Sequence, residues 1–365
     1  MSRTDLDASG DLASVVEQAA KTGNELRISA GGTKDFLGTP ADSDCQLLDV
    51  SSHRGILQYE PAELVLRARA GTTLAEIEQL LADHGQMLPF EPPHFGPAAT
   101  LGGCVAAGLS GPRRAYAGAV RDFVLGATII NGKGEVLTFG GQVMKNVAGY
   151  DVSRLMVGSM GTLAVILDVS LKVLPLPELE RTCVLECDGQ DAIGTMCGLS
   201  GSRLTGSPHL VSATCYVGKR LYIRLSSTVQ AVESSIEKIS AEQLDDQQRF
   251  WEDLREQRDP FYQTDWNLWR LSVPPATPYD ITAGSLLEWG GAQRWMKCDA
   301  GVDVRRKVEA GHATLFRRSS DDREGAPSEQ VFHPLSPELM RIHRRLKESF
   351  DPHGLFNRGR LFKDL

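Results

Sequence analysis

The seven cysteines, at positions 45, 104, 183, 187, 197, 215 and 298, are odd in number and scattered, and no Cys-x-x-Cys occurs. That pattern argues against a disulfide framework and against an iron–sulfur or zinc centre. Cys183 and Cys187 fall in the period-two run Thr182–Cys187, where a thiol reads as a small core residue. Basic excess is also lacking. The formal net charge of -8 argues against a nucleic-acid partner, which needs a basic face to meet phosphates. No long apolar run is present either: the longest, Leu163 to Leu176, is broken by Asp168, Lys172 and Pro175 and falls short of the ~20 residues a membrane span requires. The polar, acidic opening Met1–Asp7 is unlike a signal peptide, so a cytoplasmic location is expected. Nucleotide fingerprints are missing too. No Gly-x-Gly-x-x-Gly opens a helix, and around Gly132-Lys133 a phosphate loop fails because Gly126 lies one residue too far away and Gly134 stands in the Ser/Thr slot.

What the chain does have is glycine in ordered clusters. Ile28-Ser-Ala-Gly-Gly-Thr33 ends a predicted strand, and Thr100-Leu-Gly-Gly-Cys-Val-Ala-Ala-Gly-Leu-Ser-Gly111 follows. Lys145–Asp151 and Gly158–Leu163 answer them further on. Glycine at this density lets backbone approach something flat and charged. The length of 365 residues allows about two domains, each with a core of its own, and 41% hydrophobic with 24% charged residues is ordinary globular composition.

Periodicity predicts a helix over Leu12–Lys21, a strand over Glu25–Ala30 and the Gly31-Gly32 turn. A second strand, Glu63–Ala70, leads through Gly71-Thr72-Thr73 into a threonine-capped helix, Leu74–His84. Strand, tight turn and helix start form a recurrent anion-binding arrangement, and the first 90 residues hold two of them. Between Asp122 and Phe139 two β-rich runs flank Asn131-Gly132, the signature of a type I′ hairpin. Pro175-Leu-Pro177 closes a first domain over residues 1–177.

The second domain, 178–330, carries another rhythm. Strands at Thr182–Cys187, His209–Tyr216 and Arg220–Ser226 alternate with helices at Asp191–Leu199 and Val229–Ser240. Strands at Trp269–Val273, Leu286–Trp289, Gln293–Cys298 and Ala313–Phe316, with a helix at Val302–Ala310, repeat the pattern. The reading is two β-α-β-β-α-β, ferredoxin-like units sharing one sheet. The polar stretch Asp321–Glu329 reads as an exposed loop, and the segment 331–365 is expected to pack back on the first domain. The aromatic cluster Phe261, Tyr262, Trp266 and Trp269 reads as core or subunit interface.

Taken in order, Gly-Gly-Thr at 31–33, Thr-Leu-Gly-Gly at 100–103, Asn-x-x-Gly-Tyr-Asp at 146–151, Gly-Ser-x-Gly-Thr-Leu at 158–163 and Asp-Pro-His-Gly-Leu-Phe-Asn at 351–357 resemble the vanillyl-alcohol-oxidase type of FAD-linked oxidase, over nearly the whole chain. Within that family the resemblance is to the shorter flavin subunits of bacterial glycolate-oxidising complexes. It implies an α+β fold in which a two-subdomain FAD-binding domain is followed by a ferredoxin-like cap over the isoalloxazine ring. It also implies partners: a larger flavin subunit holding the complete catalytic residues, and an iron–sulfur subunit passing electrons to the membrane. The substrate class would be a small 2-hydroxy acid, glycolate going to glyoxylate, with the chain at most peripheral at the inner membrane face through its partners. The alternative is a non-catalytic scaffold subunit for assembling such a complex.

The resemblance also names residues. Ala30, Gly31, Gly32, Thr33 and Lys34 would form a nest of backbone amides for the pyrophosphate. Thr100, Leu101, Gly102 and Gly103 would offer amides and a hydroxyl to phosphate or ring, and Gly108, Ser110, Gly111 and Gly118 would carry the chain beneath the flavin. Gly161, Val165 and Asn357 complete the cofactor set. Arg270 resembles a position that grounds a substrate carboxylate, the alternative being a solvated strand-face arginine, and Tyr150 and Asp151 either order the loop near the cofactor or cap the next helix. Where some relatives carry a flavin-linking His this chain has Thr33 and Lys34, so FAD is expected to be non-covalent. The family's metal-binding segment aligns on Glu309–Phe316, where both ligand histidines are replaced, so no metal is expected; His312 in that segment joins Arg270 as a catalytic candidate. With no Glu-His base between Arg317 and His333, the isolated chain is expected to oxidise glycolate slowly.

Overall fold

The computed structural model describes residues 5–40, 44–141, 151–199, 210–239, 241–280, 284–319 and 330–365. The stretch Asn146–Tyr150, residue His209 and the polar loop 321–329 lie outside them.

The chain opens with the helix Ser9–Thr22, ended by Gly23 in the left-handed conformation, and the parallel strand pair Leu26–Ser29 and Gln46–Asp49. A five-stranded antiparallel sheet follows, in the order Ile56–Glu60, Val65–Arg69, Val165–Lys172, Val124–Ile130, Val136–Gly140. Its central strand, Val165–Lys172, is covered on both faces, which is why it reads as an unbroken apolar run. On one face Ile166, Val169 and Leu171 pack with Leu74, Ile77 and Leu81 of the helix Leu74–Ala82 and with Leu101 and Val105 of the helix Leu101–Ala107. On the other, Val165 and Leu167 meet Leu12 and Val16 of the first helix, Leu26, Leu48, and Leu355 and Phe356 from the chain end.

The C-terminal segment is stapled to the first half by polar bonds as well as by this packing. Leu26 N donates to Leu355 O at 2.7 Å, and Lys347 Nζ, on the helix Pro337–Phe350, donates to Thr162 O, Phe356 O and the Asp351 carboxylate at 2.7–2.9 Å. A buried lysine so fully bonded is a structural clasp.

The hairpin at Asn131 forms, but not as type I′. Asn131 Oδ1 accepts from the amides of Lys133 and Glu135 at 2.9 and 3.0 Å, and the left-handed residue is Gly134, φ 83°. The asparagine acceptor holds a longer loop than the two-residue turn its dipeptide suggests.

The second sheet has eight strands, every neighbouring pair antiparallel: 242–243, 179–186, 220–227, 211–217, 286–288, 293–298, 267–272, 312–317. Numbering strands within each half, the order is 4-1-3-2 followed by 2-3-1-4, so two ferredoxin-like units meet through their second strands across Cys215↔Glu288. The first unit keeps both helices, Gly189–Leu199 and Val229–Ile239. The second departs from expectation. In place of a helix over Val302–Ala310 there is one 3₁₀ turn, Val304–Lys307, bracketed by Gly301 and Gly311 at φ 83° and 112° and held by the Asp303 carboxylate, which accepts from Arg305 N and Nε. Left-handed glycines at both ends and a side chain competing for the backbone leave no room for a full helix.

Candidate functional site

The Gly31–Lys34 loop follows the strand Leu26–Ser29 and lines one side of an open cleft. Thr100, Gly103, Ala106 and Ala107 of the helix Leu101–Ala107 line the other side, with Met160, Asn357 and Arg360. An apolar continuation runs between Val50, Ala70, Gly102, Gly161, Ala164 and Ile166. Ala30, Gly31, Gly32, Thr33, Lys34, Thr100, Gly102, Gly103, Gly161 and Asn357 are thus brought together. Leu101 and Val165 are buried in the core instead, Gly108 packs on the Gly158 backbone, and Gly118 lies against Asp122 and Phe123; none of these four lines a described cavity.

Which loop can hold an anion follows from where its amides point. Among the described residues, the amides of Gly31, Gly32, Thr33 and Lys34 donate to no protein group. Four successive free N–H groups form a nest that favours a negative charge. The Thr100–Gly103 segment differs from expectation: it is a helix start, and its amides are spoken for, Leu101 N by Thr72 O at 2.9 Å, Gly102 N by Ala70 O at 2.8 Å and Gly103 N by Thr100 Oγ1 at 3.2 Å. The second expected anion turn, Gly71–Thr73, is filled by protein, since a Cβ on Gly71 would lie 2.6–2.7 Å from the carbonyls of Val50, Ser51 and His53.

Two of the cleft glycines are also required by protein packing. A Cβ on Gly31 would sit 1.6 Å from Ala98 O, and one on Gly102 2.7 Å from Ala70 Cβ. Gly103 is different: its Cβ would meet only Thr100 Oγ1, at 3.2 Å, and would otherwise project toward the cleft. Backbone strain gathers here as well, with Met160 and Asn357 in the left-handed region at φ 52° and 42°. Asn357 knits the cleft together, its Nδ2 donating to Met160 O at 2.7 Å and its Oδ1 accepting from Ile28 N at 2.9 Å.

The donor set fits a dinucleotide. Free amides and cations sit at one end, where Lys34 is buried and, among the described residues, its Nζ reaches only Thr33 Oγ1 and His94 O, at 3.4 and 3.2 Å; burial lowers its pKa. Small apolar side chains line the remainder. Asp151 caps the short helix Val152–Leu155 through Arg154 N, the plainer of its two expected roles.

A second, smaller pocket opens between Phe95, Leu109, Ser110, Gly111 and the inner face of the eight-stranded sheet. Strand register explains which side chains reach it. Arg270 pairs with Trp295 and Thr314, Ser272 with Gln293 and His312, and Glu288 with Gln293, so all share one face, whereas Trp269, Leu271, Met296 and Leu315 point to a separate core on the other. Trp269 and Tyr262 are core as expected; Trp266 is exposed.

Arg270 is half-buried over the Phe316 ring, 5.4 Å from its centroid, and has no hydrogen bond or ion pair among the described residues. Burial, then the nearby Arg114 guanidinium, lowers its pKa to about 10, with Glu288 pulling the other way. His312 is exposed at the edge of the same face, and partial desolvation of its ring, then the charges of Arg270, His333 and Arg114, lower its pKa. The residue that sequence reasoning missed is Glu288. Its Oε2 accepts from Trp295 Nε1 at 2.7 Å and Gln293 Nε2 at 2.9 Å, while Oε1 has no donor among the described residues. Burial pushes this carboxyl up to about 7 against those two bonds. Its one signal in the sequence was a lone charge inside the apolar strand Leu286–Glu288.

Cleft, nest and capped pocket define a flavin-binding protein of the vanillyl-alcohol-oxidase fold. Residues 7–140 match the FAD binding domain family. The chain is 44% identical over 363 residues to glycolate oxidase subunit GlcE of Escherichia coli (strain K12), covering 98% of this chain and 99% of that protein. It is 30% identical over 166 residues to glycolate oxidase subunit GlcD of Bacillus subtilis (strain 168), 45% of this chain and 35% of that one. The fold is shared with alkyldihydroxyacetonephosphate synthase at a TM-score of 0.64 and 15% identity, over 95% of this chain and 74% of the other. The chain belongs to the family of FAD-binding E subunits of glycolate oxidase. Among the described residues no helix is long and apolar enough to cross a membrane.

Proposed function

We propose that the chain is the FAD-holding subunit of a complex that oxidises glycolate or a similar small 2-hydroxy acid, assembled with a larger flavin subunit and an iron–sulfur subunit. On this reading it lies in the cytoplasm and reaches the inner membrane face only through those partners. FAD, when bound, supplies the two-electron acceptor. The Gly31–Lys34 amides and Lys34 hold its charged part, and the small residues of the cleft accommodate the remainder. Arg270 grounds the substrate carboxylate, and Phe95, Phe316 and Trp295 exclude water around it.

The observation that carries the reading is Arg270: an unpartnered guanidinium facing a small pocket beside the cofactor cleft lacks an anion, and a carboxylate satisfies its fork. A charge-assisted pair contributes about 1.5–3 kcal/mol, roughly tenfold to a hundredfold in affinity. Acetate, a non-reducing carboxylate, should therefore perturb the flavin spectrum of the purified protein, with Kd raised at least about tenfold in Arg270→Met. An unchanged acetate Kd in Arg270→Met refutes the assignment.

A further inference from the structure

Arg270 and Glu288 line one pocket, yet no ion pair within 4.0 Å joins them. Among the described residues the other buried acids, Asp168 and Asp351, are paired with Arg67 and Lys347, so a carboxyl and a guanidinium that share a small space without closing on each other leave a gap. Glu288 is 4% exposed, and its orientation is fixed because two donors converge on Oε2 and leave Oε1 open. Gln293 and Trp295 are therefore positioning residues.

We infer that Glu288 is the proton acceptor for the hydroxyl of a 2-hydroxy acid whose carboxylate rests on Arg270, so that this chain reacts with substrate itself. The inference rests on the reading of Arg270 given above. A small 2-hydroxy acid has its carboxylate and hydroxyl on adjacent carbons, which suits one cation and one proton acceptor held a short distance apart. In the step, the O–H bond breaks and its proton passes to Glu288 Oε1. The carbon-bound hydrogen leaves with its electron pair to the flavin, the two-electron oxidant, and the C–O bond becomes the carbonyl of the 2-oxo acid. Glu288 ends protonated and the flavin reduced. A base poised near neutrality serves this step, and burial holds Glu288 there at about 7. The titratable or charged groups around it are Arg270, Glu91, Cys215 and Tyr262, the last with a buried hydroxyl that faces this carboxyl but reaches no partner within hydrogen-bond distance among the described residues. Of these Arg270 and the Tyr262 hydroxyl favour the ionised carboxylate, and Arg270 faces the same pocket. His312, exposed at the sheet edge, is the less suitable base.

The test uses the flavin-loaded full chain under anaerobic conditions. Glycolate should bleach the flavin in a stopped-flow spectrometer, with a rate that rises and levels off with an apparent pKa near 7. Glu288→Gln should lower that rate at least about 100-fold and remove the pH step. Its flavin content and acetate Kd should not change, which shows the pocket is intact. Infrared difference spectra give a readout independent of turnover: a protonated buried carboxyl titrating near the same pH, absent in Glu288→Gln. Glu288→Asp should keep a pH step at a reduced rate. Wild-type rates and an unchanged pH step in Glu288→Gln overturn the inference, as does a wild-type flavin that glycolate fails to bleach while acetate still binds through Arg270. If acetate does not bind the wild type at all, it is the Arg270 reading that fails.

Discussion

Glu91 ties the two halves of the chain together, and replacing it should weaken the whole molecule. Its carboxylate lies 2.8 Å from Arg224 Nη2, on the eight-stranded sheet, and 3.3 Å from Arg113 Nε, and it also accepts from Arg113 N at 2.9 Å. Glu180 completes the group by binding Arg113. Burial alone would raise the Glu91 pKa, but the guanidinium groups of Arg224 and Arg113 outweigh it and hold the carboxyl at about 2, against 4.5 for a free glutamate. A depression of that size corresponds to about 3 kcal/mol of stability, and removing one member of a buried ion group typically costs about 3–5 kcal/mol. Because the folded pKa is the depressed one, this stability is present above the unfolded value and is lost as pH falls through about 2. Glu91→Gln should therefore lower the urea-unfolding free energy by about 3 kcal/mol at neutral pH, and the gap to wild type should shrink by more than half by about pH 3. A difference below about 1 kcal/mol, or one that does not change with pH, would refute the reasoning.

Three further outcomes follow from the same geometry. Gly31→Ala drives a Cβ into Ala98 O, so both thermal stability and flavin content should fall together. Gly103→Val, by contrast, should lose flavin while the apoprotein melts within a few degrees of wild type, because its nearest protein neighbour is the Thr100 hydroxyl at 3.2 Å; full flavin content would show that this face of the helix does not meet the cofactor. Glu288, with a folded pKa raised from 4.5 to about 7, contributes stability that is present below the unfolded value and lost as pH rises through the folded one. Melting curves should accordingly show Glu288→Gln gaining on wild type by up to about 3 kcal/mol between about pH 5 and about pH 8, and a constant difference would argue against a raised pKa.

Local pattern made much of the fold legible. The patterns of Trp269–Val273 and Ala313–Phe316 marked strands, and register then decided which residues share a face. The strand Gln293–Cys298 has the bounds its composition predicts. Helix signals misled at 302–310, where valine spacing suggested a helix but flanking glycines and Asp303 allow only a turn. In the cofactor cleft the glycine clusters pointed to residues that line one cavity, but which of their amides stay free was not legible, because that depends on distant partners such as Thr72 and Ala70. The Arg270–Glu288 pocket was half visible for the same reason. A lone glutamate in Leu286–Glu288 is unremarkable until pairing sets it beside Gln293 and across from an arginine.

The central claim, that this chain itself holds FAD in the Gly31–Lys34 cleft, is tested most directly by the visible spectrum of the full chain purified alone, taken before and after acid precipitation. The account predicts the absorption of oxidised flavin at about one equivalent per chain, retained through gel filtration and then released into the acid supernatant, since Thr33 and Lys34 stand where a linking residue would be. A folded chain that purifies colourless and takes up no added FAD would contradict the claim, and colour left on the acid pellet would contradict the non-covalent attachment.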